Sequence, residues 1–210
     1  METLLKNDFT THHNLPLSTV TNISATTSVS YFELKDDATL IYTVSNSGIA
    51  RYSNSLNYTT TVLNYERFIN SLPAAFLHGR EKCDLIVYTD QHQYFILNEL
   101  TDTQSQYIVD FTDRSGNPRI GKRTKAISQL LKTLSDLMNV PTIRSFIEVY
   151  TNRHCCFFNK QSTSPPALTA TVAFNRINTL TSNGFKMPNP AIGALGFELY
   201  EYSGNQIYTL

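Results

Sequence analysis

The spacing of apolar and polar positions changes several times along the chain, and each change marks an element. Residues 1–30 are polar, rich in Thr, Asn and Ser, and read as an irregular or weakly β arm. From Val29 the pattern takes on strand character in VSYFEL (29–34), TLIYTVS (39–45) and IARYS (49–53). Turn signals at Asp36-Asp37 and Asn46-Ser47-Gly48 separate these runs, so a β-meander is expected. The stretch NYERFINSLPAAF (64–76) predicts a short helix, with Asn64 as N-cap and Pro73 limiting its length.

Two short apolar runs follow, CDLIVYT (83–89) and QYFILNEL (93–100), joined by Asp90-Gln91-His92. They read as an antiparallel hairpin. Residues 101–119 are polar and carry Asp113, Gly116 and Pro118, which predicts a loop. The strongest periodicity lies in KRTKAISQLLKTLSDLMNV (122–140). Ala126, Ile127, Leu130, Leu131, Leu134, Leu137 and Met138 there make one apolar helical face. Pro141 is expected to stop that helix, and TIRSFIEVYTN (142–152) to form the next strand, which RHCCFFNK (153–160) extends or flanks. After a Pro/Ser break at 162–167, LTATVAFNRI and GALGFELYEYSGNQIYTL read as strands with Gly-marked turns.

The pattern predicts an α/β (α+β) fold with a mixed central sheet. A β-rich arm or meander spans 1–63, a core spans 64–160 and a β-rich extension spans 161–210, together one compact domain. With 210 residues the chain is long enough for a substantial core. Its 17 basic and 17 acidic residues balance, which excludes coating nucleic acid by bulk charge but not a local basic patch. Cys83, Cys155 and Cys156 form neither a disulfide framework nor a CxxC zinc motif, so buried free thiols are expected. There is no apolar leader and no run of 18 apolar residues, which favours a cytoplasmic protein without membrane partners.

Candidate chemistry sits in the core. Asp84 opens the first hairpin strand and Glu99 lies near the end of the second, so the hairpin brings them to one sheet end. Two carboxylates converging there suit Mg²⁺, a hard cation that keeps several waters. Lys122, Lys125, Gln129 and Lys132 recur on the polar side of the following helix. Its free N-terminal amides, with those lysines, would welcome a phosphate.

At these residues the chain resembles the PD-(D/E)XK nuclease superfamily, whose core runs helix, strand hairpin, helix, strand. Cys83-Asp84 stands where that family has Pro-Asp, and Glu99-Leu100-Thr101 where it has Glu-X-Lys. Glu66 in the preceding helix matches an acidic residue many members carry, and Gln129 resembles a Gln often found after the triplet. The resemblance covers residues 64–152 and implies a restriction-endonuclease-like core. It also implies Mg²⁺ held by Asp84, Glu99 and Glu66, with Lys122, Lys125 and Gln129 as further catalytic candidates. Thr101 departs from the pattern, because threonine cannot supply the family's lysine cation. Lys122 or Lys125 would have to replace it.

The resemblance therefore implies a nucleic-acid-acting protein, either a Mg²⁺-dependent endo- or exonuclease or a catalytically lapsed relative. The alternative is a non-enzymatic structural or interaction protein of a phage, mobile element or secretion assembly, with a protein partner or as a homo-oligomer. Glu33-Leu34-Lys35 matches E-X-K literally but lacks the flanking strand and helix, and reads as a chance match. His154 and Cys155, as neighbours on a strand, point to opposite faces and make no nucleophile pair.

Overall fold

A computed structural model describes residues 1–35, 42–43, 47–103, 105–160 and 184–210. The fold is mixed α/β, built on a seven-stranded mixed sheet in the order β1-β5-β6-β7-β10-β12-β11. These strands are β1 (Ser24–Thr27), β5 (Thr60–Asn64), β6 (Leu85–Thr89), β7 (Tyr94–Thr101), β10 (Asn152–Asn159), β11 (Phe185–Met187) and β12 (Glu198–Ser203). The pairs from β1 to β7 are antiparallel, β10 is parallel to both β7 and β12, and β11 closes the edge antiparallel. A second sheet, ordered β13-β4-β2-β3, takes β2 (Tyr31–Leu34), β3 (Tyr42–Thr43), β4 (Ala50–Ser53) and, from the C-terminus, β13 (Tyr208–Thr209).

The helix at 64–76 is present as α3 (Tyr65–Asn70), followed after Pro73 by the single turn α4 (Ala74–Leu77). The Asn64 side chain accepts the Arg67 amide at 2.7 Å, the expected N-cap. The hairpin is β6–β7, and the periodic helix is α5 (Lys122–Met138). Its leucines 130, 134 and 137 are fully buried on one face of the central sheet.

Several expectations are corrected. TIRSFIEVYTN is mostly not a strand: α6 (Pro141–Glu148) occupies it. Pro141 ends α5 and starts α6, because proline is preorganised for the first helical position. Ile143 and Ile147, four residues apart, supply its buried side. The strand that returns to the sheet is β10, one segment later. The first residues are not an irregular arm either. Helical turns run through α1 (Glu2–Leu4), a π-helical stretch (Leu5–Phe9) and α2 (Thr10–His12), burying Leu5 and Phe9. Polar composition hid that two-residue apolar anchor. The meander is not sequential, since β2 lies between β3 and β4. Thr60–Asn64, unread in the sequence, is a strand paired on both sides. The loop 101–119 contains the small hairpin β8 (Phe111–Thr112) and β9 (Pro118–Arg119). Most of the 39–45 run, the 162–167 break and the 168–177 run lie outside the described residues.

The two faces of the central sheet bury different layers. On one, Ile86, Leu97 and Cys155 pack with the leucines of α5 and with α6. On the other, Val87, Ile96, Cys156 and Phe158 pack against Phe32, Leu34 and Tyr52 of the second sheet. A buried hydrogen bond, Tyr52 Oη to Asn98 Oδ1 at 2.5 Å, pins the two sheets together. His154 adds another link, with Nδ1 2.5 Å from the Tyr208 hydroxyl of β13. All three cysteines are buried free thiols, as expected. Among the described residues no helix is long and apolar enough to cross a membrane.

Two outcomes follow from these contacts. Asn64→Ala should lower unfolding stability by about 1 kcal/mol in urea titrations, because it removes the cap of α3. Burial lowers the His154 pKa from 6.5, outweighing the attraction of Glu198. The unfolded chain then binds that proton more readily, so stability is lost as pH falls below about 6.5. His154→Gln should flatten that decline, seen as a smaller shift of the urea midpoint between about pH 7 and about pH 5.

Candidate functional site

The β6–β7 register pairs Leu85 with Asn98 and Ile86 with Leu97. Asp84 stands just before the first paired residue of β6, and Glu99 lies one residue beyond Asn98 on β7, so both reach the same end of the hairpin. Ile86 and Leu97 both pack on the face covered by α5. The junction is tightly bonded. The Asp84 amide donates to the Asn98 carbonyl at 3.1 Å, and the Leu100 amide donates to Asp84 Oδ2 at 2.7 Å. The Glu66 amide, in the first turn of α3, donates to the Asp84 carbonyl at 3.1 Å. Glu99 is only 8% exposed.

Helix α5 is fastened over this sheet end at three points. Gln129 Nε2 donates to the Lys82 carbonyl at 3.0 Å, and one turn later Thr133 Oγ1 accepts the Cys83 amide at 2.8 Å. At the helix start, Arg123 forks Glu201 of β12 through Nε and Nη2, at 2.8 and 3.0 Å. Asn159 Nδ2 also donates to Glu201, at 2.8 Å. Glu201, unread in the sequence, is thus a neutralised anchor for the helix.

The N-terminus of α5 already has its anion. Asp110 accepts the Gly121 amide at 2.7 Å and the Thr124 hydroxyl at 2.9 Å. The Gly121 bond is the main cause holding the Asp110 carboxyl below its usual range. The free amides expected to welcome a phosphate there are therefore partly occupied by Asp110. Gly121 is required at this point, because a Cβ would lie 2.2 Å from the Val109 carbonyl carbon.

Glu66, Asp84, Glu99, Lys122, Lys125 and Gln129 all line one cavity of about 670 Å³ at the ends of β7 and β10. Thr101 lines it too. Glu66 Oε1 lies 3.4 Å from Lys82 Nζ, and that side chain is 38% exposed. Gln129 spends its amide on Lys82, so it positions the segment that presents Asp84. Lys35 and Lys160 complete the wall, and no spacing rule pointed to either. Lys35 belongs to the E-X-K triplet read as a chance match. Its Glu33 is fully buried in the second sheet, 3.3 Å from Arg51, so that reading holds for the acid while the lysine reaches the cavity.

Electrostatics register the acidic pair. Burial pushes the Cys83 thiol well above its ordinary pKa, and the negative charges of Glu99 and then Asp84 push it further. Among the described residues no three His, Cys, Asp or Glu side chains gather as a ready-made metal cage. Mg²⁺ does not require one, since it is commonly held by one or two carboxylates, waters and substrate phosphates. Asp84 and Glu99 fit that donor set. Compared with known proteins, the chain matches no family model, no curated protein and no solved structure.

Asp84 and Glu99 line one cavity, and like charges that share a site oppose one another's ionisation. Glu99→Gln should therefore raise stability in metal-free buffer, by on the order of 1 kcal/mol in urea melts. A comparable loss would show instead that attractive contacts dominate at Glu99.

Proposed function

We propose that this chain acts on nucleic acid as a PD-(D/E)XK-like protein, a Mg²⁺-dependent phosphodiesterase whose lysine comes from α5 rather than from the triplet. The observation that carries this reading is the convergence of Glu66, Asp84, Glu99, Lys122, Lys125 and Gln129 on one cavity. Chance matches to a short motif would scatter over the surface. The order α3, β6–β7, α5, β10 agrees with the helix, hairpin, helix, strand core of that family.

Asp84 and Glu99 would hold Mg²⁺, and Glu66, which lines the same cavity, would be a further oxygen donor. When bound, the ion would lower the pKa of a coordinated water and offset charge on the scissile phosphate. Lys122 or Lys125, on the exposed side of α5, donates to the attacking water and to the phosphate oxygens as charge develops. Water adds to phosphorus and gives up a proton to solvent, the bond to the leaving oxygen breaks, and that oxygen takes up a proton from solvent. Gln129 keeps the Asp84 segment in place beneath the helix. Thr101 supports the substrate side of the cavity only as a neutral hydroxyl.

A cleavage assay with Mg²⁺ on single- and double-stranded DNA and RNA tests this. Asp84→Ala should abolish cutting, and Lys125→Ala should slow it on the order of 10²–10³-fold, the usual cost of one preorganised donor. Thr101→Lys should accelerate it. Cleavage that survives both Asp84→Ala and Lys125→Ala would place the chemistry elsewhere. A wild-type chain that binds nucleic acid but never cuts is the lapsed relative. One that binds none at low salt, where phosphate contacts are strongest, is better explained as a structural protein.

A further inference from the structure

The cavity has a second basic wall that the phosphodiesterase reading does not use. Lys35 follows β2 and Lys160 follows β10, and both are half-buried where they line the cavity. Lys160 is fixed by its amide, which donates to the Thr101 carbonyl at 3.0 Å. Along β10, Cys156 and Phe158 face the second sheet, so alternation sends Lys160 to that side. Lys35 is set by its neighbour Glu33, which accepts from Gly48 N at 2.6 Å and Tyr31 Oη at 2.5 Å. Gly48 packs so closely that a Cβ would lie 2.4 Å from Glu33 Cβ, and this contact holds Ser47 and Ile49 at the cavity rim.

Lys122 and Lys125 overhang the cavity from the helical face, while Lys35 and Lys160 approach from the second-sheet face. Among the described residues none of the four comes within ion-pair distance of a carboxylate. Asp84 and Glu99 line the same cavity. Four lysines and four carboxylates, Glu66, Asp84, Glu99 and Asp102, line the cavity, so a divalent cation on the acids would leave the ammonium groups to meet a polyanion. The volume of about 670 Å³ lies within the ~300–1,000 Å³ that holds compact ligands.

We propose that Lys35 and Lys160 form a second phosphate-binding wall, so that the cavity grips a nucleic-acid strand from both sides, each of the two lysines meeting a phosphate other than the scissile one. The proposal rests on the nucleic-acid reading above. Its test is binding of fluorescein-labelled oligonucleotides, single- and double-stranded, in Ca²⁺, an oxygen-binding cation that stands in for Mg²⁺, across a salt series. The Lys35→Ala, Lys160→Ala double variant should bind on the order of tenfold more weakly at low salt. For single strands its log–log salt slope should be shallower by about 1.4, at about 0.7 per lost phosphate contact. Arginine at both positions should restore the slope. If wild type binds, Lys122→Ala weakens it, and the double variant matches wild type in affinity and slope, the second wall is refuted while the nucleic-acid reading stands. If wild type binds no oligonucleotide at any salt, the underlying reading fails and the wall with it.

Discussion

Three fastenings of one helix decide where the chemistry-bearing groups stand. Gln129 and Thr133 bond the backbone at Lys82 and Cys83, immediately before Asp84. Arg123, near the other end of α5, forks the buried Glu201. Burial of the leucine stripe alone would let α5 slide or turn on the sheet, because apolar contact is non-directional. These hydrogen bonds remove that freedom and hold Lys122 and Lys125 on the cavity that Asp84 and Glu99 also line. The pair with charged Arg123 is of the stronger class, and its bidentate geometry adds direction.

Asp84 and Glu99 stand at a partly closed end of the central sheet. Glu99 is 8% exposed, and the raised Cys83 thiol reports its field and that of Asp84. The Leu100 amide donates to Asp84 Oδ2 and favours its charged form, while the Glu66 amide fixes the Asp84 backbone through its carbonyl.

The cavity itself arises from layering. The α5 layer covers one face of the central sheet, and the second sheet covers the other. At the ends of β7 and β10 both layers overhang the strands, leaving a cleft lined by carboxylates and lysines. The second sheet is assembled from both ends of the chain, since β13 pairs with β4. The wall carrying Lys35 therefore depends on residues about the whole chain length away. Segments outside 64–160 complete the site rather than decorate it.

Local pattern determined much on its own. The period of 3.6 fixed α5, Asn64 and Pro73 bounded α3, and the two apolar runs with a tight polar turn fixed the β6–β7 hairpin. Through that hairpin, the arrival of Asp84 and Glu99 at one sheet end was legible, because antiparallel strands joined by a tight turn bring the start of one beside the end of the other. The helix at 141–148 was not, since Pro141 both ends one helix and begins the next, and a short β-branched run suits either state. The N-terminal helix was hidden because its buried side is only Leu5 and Phe9. Lys35, Lys160 and Glu201 were invisible for a different reason. Each becomes part of the site through strands that meet only in three dimensions, and no spacing along a chain encodes the overhang of two layers. Sequence determined the carboxylates and the helix beside them; tertiary packing alone decided that two further lysines line their cavity, because that depends on which layer covers which face.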